Sequence, residues 1–232
     1  MKIGGFLSND SMFGKVMTKF GTMIVLNILF VISCLPFVTI GPALSALYYS
    51  IIEMLRKEEE DMVLGTGGEI NPVTVYFKGF RRDFSKCMLY WILFVGIMIM
   101  GTINIQISGS WKGIMGNLTY VIISVMLIVY VIFIFGFPLH SQYKGSFKRI
   151  VSMALQTAFI SPGRSLAVLL LYSVPLVLIR YDEINKPLYA FIFCFFGCSL
   201  IAEMAVKLIR PAMTSVLAAG RAERTVEKAE GT

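Results

Sequence analysis

Four apolar stretches, almost free of charged residues, limit the folds that this sequence can adopt. They cover residues 87–107, 118–137, 165–179 and 188–206, and the single charged side chain within them is Glu203. A helix needs about 20 apolar residues to cross the hydrocarbon core of a bilayer. Hydrophobic residues make up 56% of the sequence and charged residues 15%, against about a quarter charged in a soluble domain. The sequence therefore predicts an all-α, polytopic membrane protein.

A fifth apolar run, residues 21–52, is too long for one straight span and contains Pro36 and Pro42. A proline removes a backbone donor and pushes the residue before it out of the helical region. We therefore predict a hairpin with a first helix over residues 21–37 and a return over residues 43–55. A helix of the latter length rises only about 20 Å, so the return is short for a bilayer. With the four stretches above, the hairpin gives six membrane-embedded helices.

The turn of this hairpin is expected at residues 38–42, and its predicted structural residues are Pro36, Thr39, Gly41 and Pro42. Gly41 offers backbone freedom before a proline. Thr39 can hydrogen-bond a carbonyl group that the helix break leaves free. No ligand role is predicted for the turn.

The basic residues favour the hairpin over a single crossing. With the hairpin, all of the 21 Lys and Arg residues lie on one side of the membrane except Lys112, Arg180 and Lys186. Because Lys and Arg accumulate in cytoplasmic loops, we expect both termini in the cytoplasm. The net charge of +7 then reflects topology rather than binding to nucleic acid. In this prediction residues 1–210 form one transmembrane domain, and residues 211–232 form a polar cytoplasmic tail.

The inner segment after the hairpin is predicted to begin as a flexible connection and to continue as a helix. The acidic residues 58–61 and the Gly-rich residues 65–68 suggest the connection. Asn71 followed by Pro72 is a good helix start, because asparagine caps the first free amides and proline fits the first helical turn.

The helix expected over residues 76–86 has two different faces. Three phenylalanines share one side, and four cations turn away from them. Such a helix lies on the bilayer with its rings at the acyl boundary and its cations at lipid headgroups, or it docks on a protein partner. The two roles can coexist. The predicted partner or lipid contacts are Phe77, Phe80, Arg81, Arg82 and Phe84.

Three polar side chains inside or beside the predicted spans are candidates for intramembrane contacts. Glu203 is the one carboxylate well inside a span, and such residues are functional candidates. Lys207 follows four residues later, which is the favourable order for an ion pair on a helix. Asn27, in the first helix, is suited to hydrogen bonds between helices. We expect structural contacts from all three, with a functional site as the alternative.

The sequence carries no motif for an enzyme or a motor. It has one histidine, His140, and four cysteines, and their spacing fits no metal site. It lacks a phosphate-binding P-loop and the G-x-S-x-G turn of hydrolases. We expect no catalytic residue, no metal and no cofactor.

One region of the sequence matches a known family pattern. An apolar helix starts at Asn27 and leads into Leu35-Pro-Phe-Val-Thr-Ile-Gly-Pro-Ala43, followed by Ala46-Leu-Tyr-Tyr49. This region resembles the YesL-like family of bacterial membrane proteins, whose signature is Leu-Pro-x-x-Thr-x-Gly-Pro-Ala and then Ala-Leu-Tyr-Tyr. Residues 77–84 and 137–139 are similar to two further landmarks of the family, so the likeness covers most of the chain.

The resemblance implies a location in the bacterial plasma membrane and a role beside ATP-driven importers. Members generally occur in carbohydrate-utilisation loci next to the permease genes of such oligosaccharide importers. A non-catalytic accessory subunit or assembly factor that packs against permease helices is therefore expected. The alternative is a small autonomous transporter or channel, with a midplane site at the broken first hairpin. A membrane enzyme has the least support.

Overall fold

The computed structural model describes residues 12–64, 71–108, 114–143, 145–181 and 184–230, and over these residues the regular structure is helical. The nine α-helices of this part of the chain are α1 (Met12–Cys34), α2 (Ile40–Leu64), α3 (Pro72–Arg81), α4 (Phe84–Ser108), α5 (Ile114–Gln142), α6 (Phe147–Ile160), α7 (Pro162–Tyr181), α8 (Lys186–Ile192) and α9 (Cys198–Glu230). Five segments, or six if one bent pair counts as a span, are long and apolar enough to cross a membrane. The predicted all-α, polytopic architecture is confirmed.

The chain reverses direction between α1 and α2 earlier than the sequence predicts. Helix α1 ends at Cys34, and one 3₁₀ turn, Phe37–Thr39, leads directly into α2. The predicted turn at residues 38–42 is therefore wrong in position. Gly41 and Pro42 lie in the first turn of α2, where a proline sacrifices no intrahelical hydrogen bond.

Helix α2 is much longer than the predicted return over residues 43–55. It has 25 residues and continues to Leu64, through the acidic residues 58–61 that were expected to be flexible. Glutamate, lysine and arginine are good helix formers, and Arg56 pairs with Glu53 at 2.7 Å within the helix. A helix of this length rises about 37 Å, which is enough to span a bilayer. The predicted short leg and the predicted flexibility of residues 58–61 are both wrong, whereas the Gly-rich residues 65–68 lie outside the described residues.

The amphipathic helix after this connection begins as predicted and ends early. The side chain of Asn71 accepts hydrogen bonds from the backbone amides of Val73 and Thr74, which confirms the predicted cap. Helix α3 stops at Arg81, and Asp83 has a φ of 53° in the left-handed region. The predicted single helix over residues 76–86 is thus two helices, because a left-handed residue breaks the helical hydrogen-bond ladder.

The last part of the chain also differs from its predicted division. Helices α6 and α7 meet at a bend of 106°. Helix α9 passes through Pro211 without ending, so the predicted boundary between residues 210 and 211 falls inside it. Apolar side chains beyond Pro211 are buried, namely Ala212, Met213, Val216 and Leu217. Residues 211–220 therefore belong to the packed body of helices rather than to a separate polar tail.

Helix α2 occupies the centre of the assembly. It packs against α1, α3, α4, α5 and α9. Twelve of its residues, from Gly41 to Leu55, are buried. The two polar clusters described next lie along α1, α2 and α9, where these helices meet.

Candidate functional site

Asn27 sits in the middle of α1, fully buried against the segment that joins α8 to α9. That segment, Phe193–Gly197, is a π-helix. The side-chain amide nitrogen of Asn27 donates to the carbonyl oxygens of Phe193 at 2.9 Å and Cys194 at 2.6 Å. Its Oδ1 accepts a hydrogen bond from the backbone N–H of Ser199 at 2.9 Å.

This contact satisfies backbone groups that a π-helix leaves poorly paired. A single wide turn inside an α-helix shifts the usual i→i−4 ladder, so carbonyls and an amide around it need other partners. Within a bilayer no water can serve. The hydroxyl of Ser199 adds a bond to the carbonyl oxygen of Met23 in α1 at 3.1 Å. Asn27 thus bonds across helices, and its partners are backbone atoms rather than polar side chains.

A cluster of charges joins the same helices closer to one end of the bundle. Glu203 is 5% exposed, and its Oε1 lies 2.6 Å from the Lys207 Nζ and 2.9 Å from the Lys19 Nζ. Lys19 also contacts the carboxylate of Glu58 at 2.7 Å. The cluster therefore connects α1, α2 and α9, whereas the sequence predicts only the pair within α9.

Two further contacts fasten α9 beyond this cluster. The guanidinium of Arg210 makes a two-pronged ion pair with Glu59 of α2. Arg149, at the start of α6, donates to the carbonyl oxygen of Gly220 at 3.1 Å. The acidic residues that follow the buried part of α2 therefore hold that helix against α1 and α9.

The residues predicted to hold the hairpin turn have distinct contacts. The hydroxyl of Thr39 lies 2.6 Å from the carbonyl oxygen of Ser33 and 2.7 Å from that of Pro36. A Cβ atom at Gly41 would lie 2.3 Å from the carbonyl oxygen of Cys87 in α4. Gly41 is helical, so the backbone freedom expected of it is not what the position needs. Its missing side chain lets α2 and α4 approach closely.

The predicted contact surface of α3 divides into an outer and an inner part. Phe77 is 44% exposed and Arg81 is exposed. Phe80, in contrast, packs on the core, and its ring meets that of Phe84 at 5.4 Å. The Arg82 guanidinium lies 5.5 Å from the centre of the Tyr49 ring in α2, within cation–π range.

Tyr76 and Gly79 anchor α3 on the membrane-embedded body. Tyr76 is fully buried, and burial raises the pKa of its hydroxyl above the ordinary value, so the ring stays neutral. A Cβ atom at Gly79 would lie 3.0 Å from the Cβ of Tyr49. Only part of α3 therefore faces outward.

His140 lies near the end of α5 and is 5% exposed. Its Nδ1 is 3.5 Å from the Cys87 Sγ of α4, and the Tyr90 ring packs edge-on at 5.4 Å. Over the described ranges, no three His, Cys, Asp or Glu side chains are placed to hold a metal ion.

Comparison with known proteins gives one match. Residues 23–105 resemble a family described as a protein of unknown function, DUF624. The matched residues run from α1 to α4 and include Asn27, the 3₁₀ turn and α3. They make up less than half of the 232 residues. No curated protein and no solved structure matches the chain.

Proposed function

We propose that this chain is a non-catalytic accessory membrane subunit or assembly factor of an ATP-driven oligosaccharide importer, and that it packs against permease helices. The resemblance to the YesL-like family supports the importer. The wide apolar surface of α4 and α5 supports the packing, and it is the observation that carries the proposal. The bacterial plasma membrane and cytoplasmic termini belong to the same proposal.

Helices α4 and α5 bury little of their surface against other helices of the chain. In an apolar stretch of 18 residues, only 6% of the residues of α4 are buried, and only 11% of those of α5. Large apolar side chains such as Met100 and Leu127 are 65% and 59% exposed. In a bilayer such a surface meets lipid or the helices of a partner, and close packing drives helix association there. The surface is thus available to a permease.

The contacts of the intramembrane polar groups support a structural role for these groups rather than a role in solute transport. Asn27 is occupied by the backbone around the π segment, and Glu203 is occupied by two lysines. A transporter with its midplane site at the first hairpin would need such groups to meet a solute. Their contacts within the chain therefore favour the accessory role.

The charged end of the bundle supports a cytoplasmic position for both termini. Lys19, Lys207 and Arg210 lie at the end of the bundle where α2 leaves its buried part, and basic residues accumulate on the cytoplasmic side. Cysteine replacing exposed Val38 should react with an impermeant reagent in intact cells, whereas cysteine replacing Arg56 should not. Reaction at position 56 alone would reverse this orientation.

Purification of the tagged full chain at native expression tests the main proposal. We expect permease and ATPase subunits to co-elute in fixed proportion after mild detergent extraction. A chain that elutes alone, and that moves a solute when reconstituted by itself into vesicles, would overturn the accessory role and establish the transporter.

Matched variants of α3 show whether its outer face contributes to the complex. Phe77→Ala with Arg81→Glu alters the exposed side, and we expect normal insertion with lower recovery of permease. Phe80→Ala with Phe84→Ala alters the packed side, so it should lower thermal stability of the isolated chain as well. Unchanged recovery with the first pair, at normal protein level, would leave that face to the lipid surface.

A further inference from the structure

A cavity of about 190 Å³ lies between α4 and α5, near the end of these helices that adjoins α3 and α6. Its walls are almost entirely apolar, and they include Leu93, Ile97 and Phe133. The rings of Phe94 and Phe133, which both line the cavity, stack with their centres 3.9 Å apart. None of the contacts described for Asn27 or Glu203 reaches this region, so it is distinct from the two polar clusters.

The surroundings of Gly136 give independent evidence for this open space. It is a buried residue of α5 that lines the cavity. A Cβ atom built on it would nevertheless meet no atom within 4 Å. Protein interiors are normally packed with few voids larger than a water molecule. A buried glycine beside open space therefore marks a gap that something else fills.

The cavity opens sideways toward the bilayer. Leu93 and Ile97, on its wall, are 44% and 43% exposed. A partner helix is about 10–12 Å wide with its side chains, which is too wide for a space of this volume. A flexible hydrocarbon chain enters such a space readily, and the surrounding bilayer supplies such chains at high concentration.

Polar groups are confined to one end of the cavity. The Tyr90 hydroxyl lies there, 3.4 Å from the carbonyl oxygen of Phe147, and His140 lines the same end. Two cations flank this end along the chain. Lys86 precedes Tyr90 by one helical turn and pairs with Asp83 at 3.7 Å, and Lys148 follows Phe147; both lysines are exposed. An apolar cavity whose polar end is flanked along the chain by cations is complementary to a lipid with an anionic headgroup.

We propose that this cavity is a binding site for one anionic phospholipid of the surrounding bilayer. One acyl chain lies between α4 and α5 beside Gly136, and the phosphate lies at the end marked by Tyr90 and Lys148. The occupant fills the gap that the protein's own side chains leave open.

Photolabelling of the full chain in vesicles tests this site. The probe is phosphatidylglycerol with a photoreactive acyl chain, and adducts are located by mass spectrometry. We expect adducts on Leu93 and Phe133 in preference to Met100, which lies outside the cavity. Phosphatidylcholine with the same photoreactive chain should label these positions about fivefold less, since a cation near the surface contributes about 1 kcal/mol to anionic-lipid binding.

Variants that fill the cavity separate it from the ordinary lipid boundary. Gly136→Leu places a side chain in the open space and should lower labelling of Phe133 about fivefold or more, which corresponds to a loss of about 1 kcal/mol or more of binding. Gly96→Leu is the matched control, because Gly96 is an exposed α4 residue where a Cβ atom also meets nothing. Leu93→Trp closes the cavity from its open side and serves if Gly136→Leu fails to fold.

A second pair of variants tests the contribution of charge at the polar end of the cavity. Lys148→Glu should lower labelling by phosphatidylglycerol, whereas Lys78→Glu, which alters an exposed cation of α3, should not. Equal labelling in Gly136→Leu, Leu93→Trp and Gly96→Leu would overturn the site. Equal labelling by the two lipids, or no effect of Lys148→Glu, would overturn the anionic headgroup.

Discussion

In soluble proteins the more hydrophobic of two helices is normally the more buried, and helices α2 and α5 show the opposite order. In the described part of the chain, α5 contains the most hydrophobic candidate span, yet only 11% of the residues in its 18-residue apolar stretch are buried. The span that includes α2 is the least hydrophobic, and 67% of the residues in its stretch are buried. Surrounding lipid is as apolar as a protein core, so hydrophobicity does not select which helix lies inside. Close packing and paired polar groups select it instead.

The sequence of α2 shows how a buried membrane helix is made. Glycine and alanine line its contacts, with Gly41 against α4 and Ala46 against α3. Ser50 returns its hydroxyl to the carbonyl oxygen of Ala46 at 2.8 Å, and the Tyr48 hydroxyl bonds that of Tyr172 in α7. The outer residues of α5, such as Leu127, are exposed within the chain and require no comparable contacts.

The largest effect is expected where α2 and α4 touch. Gly41→Leu would place a side chain against the backbone of Cys87. We expect a loss of about 3 kcal/mol in the free energy of unfolding, at the upper end for overpacking, measured by denaturant titration in mild detergent. Gly21→Leu is the control, because a Cβ atom at that exposed glycine meets nothing. Equal stability of the two variants would show that close approach does not define the interior.

Removal of the Asn27 amide should cost slightly less. Asn27→Leu leaves the carbonyls of Phe193 and Cys194 and the amide of Ser199 without this partner. Unsatisfied buried groups cost about 1–3 kcal/mol, so we expect a loss of about 2 kcal/mol and faster amide exchange at Ser199. Asn104→Leu, on the exposed side of α4, should change stability little. A neutral Asn27→Leu would show that the π segment does not depend on this side chain.

The charge cluster should contribute less again, because one of its lysines is half-exposed. Glu203→Gln leaves Lys19 and Lys207 facing each other. Breaking a fully buried pair costs about 3–5 kcal/mol; since the Lys207 side chain is 54% exposed, we expect about 1–2 kcal/mol in thermal or denaturant unfolding. Glu60→Gln, on an exposed turn of α2, provides the comparison. A larger loss for Glu60→Gln would contradict the bracing role of the cluster.

The smallest effect on the isolated chain is expected on the outer face of α4. Met100→Ala should change the free energy of unfolding by less than about 0.5 kcal/mol, as for other surface substitutions. The buried counterpart Leu47→Ala should cost several-fold more, since deleting a buried leucine side chain costs about 2–5 kcal/mol. A comparable loss for both would contradict the distinction between the buried helix α2 and the outward faces of helices such as α4 and α5.

Local chemistry in the sequence was sufficient for several features. The apolar stretches at residues 87–107, 118–137 and 188–206 predict three of the spans, whereas residues 165–179 qualify only together with α6 as a bent pair. Asn71-Pro72 predicts the start of α3. The pair Glu203–Lys207 follows from its spacing on one helix. The length of α2 could also have been predicted from helix propensity, because Lys57 and the three glutamates that follow it are good helix formers. Their charge led instead to the prediction of a flexible connection.

Other features depend on tertiary contacts that no local pattern contains. Lys19 and Glu203 are brought together by the packing of α1 on α9. Residues 193–197 look like ordinary apolar helix, and nothing in their composition predicts a π turn whose backbone needs Asn27. The sequence also does not predict the break between α3 and α4 at Asp83, because the spacing of the phenylalanines continues across it.

The π segment Phe193–Gly197 also sets the rotational phase of the chain that follows. Each residue advances an α-helix by about 100°, and a π turn accommodates one residue more than an α turn. Rewinding this segment as an ordinary α-helix, with no residue removed, would therefore turn α9 by about that angle. Glu203 would point away from Lys19, and Val216 and Leu217 would leave the core, although every side chain in both clusters was unchanged. The π turn thus takes up one residue without rotating α9, and the Asn27 contacts with its backbone keep both polar clusters in register.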